Sequence, residues 1–181
     1  MNERRNFLKM ATAATAPVGM AMLSAGVAGA DDGSVKEFLG CWSMLHDGPD
    51  GEFREFLCFA DGGVVTESNS FLHTASNYDF AGFGIPGVLR ASDGFGNWER
   101  IAKGVIRVSF RKMIFDTTGK YSSVDLRARG DLKSDGKRLF TDPAEPWVVE
   151  VVTASDVDHP ELPSIIIREL AKANSRGVRI R

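Results

Sequence analysis

The chain has little of what builds a chemical centre: two cysteines, three histidines and two tyrosines in 181 residues. Two cysteines cannot make an all-thiolate zinc site. No Ser-nucleophile elbow, phosphate loop, zinc-binding helix motif or paired-cysteine metal motif is spelled anywhere, so the sequence asks for no metal and no cofactor. Excess basic charge is missing too, the formal net charge being -2, which leaves no electrostatic footprint for nucleic acid or an anionic membrane. Beyond Asp31 no apolar run approaches the ~20 residues that span a bilayer, and no internal repeat or low-complexity tract interrupts the chain.

What is present begins with "MNERRNFLKMATAATAPVGMAMLSAGVAGA". Arg4 and Arg5, then Phe7, Leu8 and Lys9, a mildly apolar Ala/Thr/Gly/Met run, and the small residues Ala28-Gly29-Ala30 together resemble a twin-arginine export signal with a leader-peptidase site. Glu3 stands where such signals carry Ser or Thr. Residues 1–30 are therefore expected to be a cleaved leader rather than an anchor, and residues 31–181 a single domain delivered, already folded, to the periplasm or outside the cell. Removing three cations and one carboxylate with the leader takes the charge to -4, and no membrane contact is expected afterwards. Nothing in the pattern speaks to oligomeric state.

Short Val/Ile/Phe/Trp/Thr-rich runs between Gly and Asp turns predict strands over Gly40 to His46, Phe53 to Ala60, Val64 to His73, Asn97 to Ala102, Val105 to Asp116, Tyr121 to Leu132, Arg138 to Thr141 and Trp147 to Thr153. Eight strands at hairpin spacing argue for an all-β, antiparallel, up-and-down barrel. In "YSSVDLRARGDL", Val124, Leu126, Ala128, Gly130 and Leu132 share one face and Ser123, Asp125, Arg127, Arg129 and Asp131 the other. In "VIRVSFRKMIFD", Lys112 falls in phase with Ile106, Val108, Phe110 and Ile114, while Met113 and Phe115 lie opposite. At the C-terminus "PSIIIRELAKANSRG" predicts a helix capped by Ser164 and closed by Gly177, with Ile166, Ile167, Leu170 and Ala171 as its packing stripe; its three consecutive isoleucines would also suit a strand.

Ser34 and Glu37 have capping-box spacing and lead through Phe38-Leu39 into Gly40-x-Trp42 at the first strand. This opening resembles that of a lipocalin, or more broadly a calycin barrel. The resemblance implies that Gly40 turns the chain into the strand and that Trp42 plugs the closed end against an arginine from late in the chain, for which Arg168 is a candidate. Thr141-Asp142 is similar to the family's second signature, though Pro143 follows it. Trp98-Glu99-Arg100 and the turn from Phe115 to Tyr121 resemble segments of small exported bacterial lipocalin-like proteins, a likeness of fold rather than activity.

If the first two strands pair about "DGPDG", Cys41 and Cys58 fall opposite each other on one side. Two readings follow: a disulfide in an oxidising compartment, or two reduced, buried small hydrophobes.

Three signals read better as structure. Gly82-x-Gly84-x-x-Gly87 encloses Pro86 and lacks a strand-then-helix setting; Asp47, Asp50 and Glu52 lack calcium-loop spacing; and the three histidines have no metal-ligand pattern. The apolar connection from His73 to Trp98 predicts a lid over the barrel mouth or a plug inside it. The favoured function is a binding module holding a small apolar or aromatic molecule among Met44, Phe53, Phe59, Phe110, Leu126 and Trp147. One alternative is an isomerase or cyclase of the allene-oxide-cyclase or dirigent type, for which His46, Glu55, His73, Tyr78 and Asp79 are the acid-base candidates. The other is a filled barrel acting through its surface. The sequence leans against an enzyme, for want of any catalytic motif.

Overall fold

Alternation along the chain becomes a sheet whose strands pair in chain order. A computed structural model describes residues 35–48, 51–69, 90–116, 118–159 and 161–181. The predicted leader, Ser34, the hairpin tip at Pro49-Asp50, and the segment 70–89 with His73, Tyr78 and Asp79 lie outside the described residues.

Ten strands are described: β1 (Gly40–Gly48), β2 (Gly51–Ala60), β3 (Val64–Asn69), β4 (Arg90–Ala91), β5 (Gly94–Ala102), β6 (Val105–Phe115), β7 (Tyr121–Ser134), β8 (Arg138–Phe140), β9 (Trp147–Thr153) and β10 (Ile166–Arg179). Antiparallel pairing runs β1–β2–β3–β5–β6–β7–β9–β10 and returns from β10 to β1. The sheet is therefore a ring in which every one of these strands has two neighbours. Such closure leaves no free edge, so backbone donors and acceptors find partners on both sides. β4 pairs with the far end of β6, and β8 bridges β7 and β10.

One predicted element is corrected. The C-terminal helix does not form: its residues make β10, the strand that completes the ring, whereas β8 was expected to be one of the eight. The physical reason is a second periodicity in the same segment. Ala173, Ser175 and Gly177 recur every two residues and are buried, the last two opposite His46 and Met44 of β1. Gly177 pairs with Met44, whose sulfur occupies the place a Cβ would take. The isoleucines expected in a packing stripe are exposed instead, Ile166 by 49% and Ile167 by 45%. As a strand the segment satisfies the open edges of both β1 and β9, which a helix laid on the sheet would leave unpaired.

At one end of the ring the interior is filled by Phe38, Trp42, Leu57, Phe59, Val65, Trp98, Ile106 and Leu132. Gly40, at φ 105, takes the left-handed conformation that turns the chain from the 35–38 turn into β1. Trp42 is fully buried, and its indole N–H donates to the Phe38 carbonyl at 2.8 Å. A second correction belongs here. The arginine on Trp42 is Arg179, whose guanidinium carbon lies 4.7 Å from the ring centroid, and not Arg168, which sits further along β10 opposite Val151. Arg179 also donates to the carbonyls of Leu39 and Glu37, tying the end of β10 to the turn before β1. Register decides the choice, because Trp42 pairs with residue 179 across the β1–β10 ladder.

Cys41 and Cys58 are directly paired in the β1–β2 register and form a disulfide with Cα atoms 4.0 Å apart. They lie on the outer face, behind the inward pair Trp42 and Leu57.

Candidate functional site: a buried polar belt inside the ring

Inward positions on an antiparallel ring are normally apolar, and at five positions here they are not. His46 on β1, Glu55 on β2, Glu67 on β3, Lys112 on β6 and Ser175 on β10 are all buried. Each is in phase with core neighbours on its own strand: His46 follows Trp42 and Met44, Glu55 precedes Leu57 and Phe59, Glu67 follows Val65, and Lys112 lies between Phe110 and Ile114. Period-two geometry therefore forces these polar side chains inward.

Distances link them into a triad and a pair, and the electrostatic interaction of Glu55 with Glu67 couples the two. Ser175 Oγ is 2.7 Å from His46 Nδ1, and His46 Nε2 is 2.8 Å from Glu55 Oε1. On the far side Lys112 Nζ is 2.7 Å from Glu67 Oε2. Ser175 and His46 are also held from outside the belt. Ser175 exchanges backbone contacts with Thr141, donating its N–H to Thr141 Oγ1 at 2.8 Å and accepting from the Thr141 N–H at 2.9 Å. The imidazole of His46 stacks on Phe53, with ring centroids 4.5 Å apart, and meets Trp147 at 6.0 Å.

The Glu67–Lys112 contact spans an intervening strand, and glycine makes that possible. Glu67 on β3 lies opposite Gly94 on β5. A Cβ at Gly94 would stand 2.7 Å from both Glu67 Oε2 and the Phe110 ring. Only a residue with no side chain lets a carboxylate from β3 reach over β5 to an ammonium on β6.

Burial of two carboxylates beside one lysine sets the electrostatics. Desolvation pushes the Glu67 carboxyl up to about 7, the nearby charge of Glu55 pushes the same way, and Lys112 opposes both. The partnering is incomplete. The contacts of Glu67 with Lys112 and of His46 with Glu55 are at ion-pair distance, but neither Glu67 oxygen, nor Glu55 Oε1, nor His46 Nε2 has a hydrogen bond of proper angle. A buried polar atom in that condition costs ~1–3 kcal/mol, more when charged.

The belt divides the interior. Met44, Phe59, Phe110 and Trp147 belong to the large apolar cluster at the Trp42 end. Leu126 belongs to a smaller cluster with Ile114 and Val151. Phe53, partly buried, stacks on the belt itself. The six residues expected to line one pocket thus all turn up within or beside the ring, but in three places.

Of the acid-base candidates, His46 and Glu55 are brought together, while His73, Tyr78 and Asp79 lie outside the described residues. His159 is exposed and 3.6 Å from Glu161, far in character from a ligand site. Asp47 and Glu52 hold Arg176 of β10. Among the described residues no group of three or more His, Cys, Asp or Glu side chains is placed to hold a metal ion. Glu67, Lys112 and Ser175 were not singled out as site residues from sequence. Lys112 alone announced itself, as a charge in phase with a core face.

No protein-family model matches the chain, and no curated protein matches it.

Proposed function

We propose that this protein is exported by the twin-arginine route and that its ring of strands is a lipocalin-like up-and-down barrel that binds a small, largely apolar or aromatic molecule in its interior. The observation that carries this reading is the interior itself. One end is stopped by Trp42 under Arg179, and the inward faces present Phe110, Trp147, Leu126 and Val151 around a polar belt. An interior of this strand number has room for side chains or for one small ligand. Further support comes from the short turn running through Gly40 into Trp42 and from the late arginine stacked on the indole, the arrangement the lipocalin resemblance implies. The disulfide suits an oxidising compartment.

Native mass spectrometry of the protein purified from its exported fraction tests the reading. A bound small molecule, released on denaturation, is expected. A protein that carries no such mass, and takes up no apolar probe, would instead favour a filled barrel acting through its surface. Arg4→Lys with Arg5→Lys is expected to hold the precursor in the cytoplasm.

A second reading is favoured by one observation, the His46–Glu55 contact inside the ring: an isomerase or cyclase that moves a proton on a bound apolar substrate. His46 and Glu55 are then the acid-base pair, with Ser175 orienting the imidazole. Incubating the co-purified molecule with the protein should yield an isomer of unchanged mass and altered retention. Its formation by His46→Ala at the wild-type rate would remove this reading.

A further inference from the structure

The polar belt has an acceptor to spare. His46 and Lys112 stand at ion-pair distance from Glu55 Oε1 and Glu67 Oε2, but Glu67 Oε1 has no hydrogen bond, although the residue is only 2% exposed. Among the described residues the groups facing Glu67 are Glu55 from β2 and Lys112 from β6, with His46 of β1 and Ser175 of β10 behind Glu55. Glu55 acts on Glu67 both as a nearby negative charge and as an acceptor for its proton, so a cation that replaced that proton would lie between two carboxylates. Beside it the interior turns apolar in register: Lys112 pairs with Leu126, Leu126 pairs with Val151, and Ile114 packs on both.

We propose that the interior ligand carries a protonated amine on an apolar body, the ammonium docking on Glu67 next to Glu55 and the body lying along Leu126, Val151 and Ile114. This deepens the binding reading above and rests on it. No covalent step is involved. When Glu67 is protonated, the incoming ammonium displaces that proton to solvent, so the cation and the proton compete for one site. Because a primary alkylamine keeps its charge up to about pH 10, any change in its affinity between pH 6 and 8 belongs to the protein.

Calorimetric titration of the purified protein with n-hexylamine and its neutral isostere 1-hexanol, at pH 8 and pH 6, separates the possibilities. Hexylamine is expected to bind at least ten-fold more tightly than hexanol at pH 8. With Glu67 titrating near 7, its affinity should fall about ten-fold at pH 6, and hexanol should be unaffected. Glu67→Gln should abolish both the preference and the pH dependence, and Glu55→Gln should move the pH dependence downward. Hexanol binding as tightly as hexylamine, or hexylamine binding equally at both pH values, overturns the amine assignment and leaves the binding reading intact. Failure of both probes to bind overturns the two together. The wild-type comparison needs no variant, so a variant that does not fold leaves the test standing.

Discussion

Two glutamates, one on each face of the sheet, are alike in exposing only 2% of their surface, but one lies deep in the interior and the other just under the outer surface, and they are oppositely treated. Glu150, on the outer face of β9, receives two hydrogen bonds from Arg127 and two from Arg129, at 2.7–3.2 Å. Those bonds, Arg129's first, hold its carboxyl below the usual range against the opposing effect of burial. Glu67, on the inner face, has one ammonium at ion-pair distance and a second carboxylate, Glu55, beside it, so desolvation and the Glu55 charge outweigh Lys112 and push its carboxyl up to about 7. Depth below the surface and the supply of donors together decide a carboxylate's charge: Glu67 lies deep with one cation, Glu150 shallow under two arginines. The outer glutamate is a clasp between strands, whereas the inner one is left short of donors.

The comparison breaks most sharply at Lys112. Lys112→Met leaves Glu67 buried without its cation and is expected to cost ~3–5 kcal/mol at pH 8. At pH 5, where Glu67 holds its proton, the loss should shrink, and adding Glu67→Leu should recover most of it. Urea unfolding at the two pH values measures this, and an equal cost at both would show that the interior pair is not what Lys112 serves.

The wild-type pH profile comes next. Glu67 is raised in the folded state from 4.5 to about 7, so the folded protein binds the proton more tightly than the unfolded chain. Its contribution is fully present below about pH 4.5 and is lost as pH rises through 7, on the order of 3 kcal/mol. Glu150 has the opposite sign. Its carboxyl is lowered by folding, so its contribution is present above the unfolded value and lost only as pH falls through the folded one. Stability should therefore peak in mildly acid solution, and Glu67→Gln should flatten the descent between pH 5 and 8.

Smaller is the loss expected from Cys41→Ser with Cys58→Ser, ~2–3 kcal/mol for a cross-link closing a short loop. Since the bridge lies on the outer face and acts largely through the unfolded chain, the loss should be the same at pH 5 and pH 8. A pH-dependent loss would mean that the disulfide props up the interior belt. Smallest is Glu150→Gln, about 1 kcal/mol by the same unfolding measurement, because Arg127 and Arg129 are partly exposed and can turn to water.

Much of this was legible in residues 40–153. Alternation located β1, β2, β6, β7 and β9 to within two residues at either end, and the Cys41–Cys58 register followed from the turn between their strands. The belt was harder to read. Glu55 and Glu67 sit in strands where a lone carboxylate normally faces water, and only the strand order β3–β5–β6 shows that Gly94 clears a path between Glu67 and Lys112. Ser175 was hidden because its segment was read at helical period, with Gly177 taken for a cap rather than the site of a methionine sulfur.

By itself the sequence determined the alternating runs, the turns between them, the position of Trp42 at the head of the first strand and the face on which the two cysteines would meet. Those properties are local, set by period-two geometry and turn chemistry over a few residues. The tertiary structure alone decided that the last segment is a strand, that Arg179 covers the indole and that five polar side chains converge. These depend on closing the ring, since only when β10 meets β1 do residues more than a hundred positions apart come within hydrogen-bond reach, as His46 and Ser175 do.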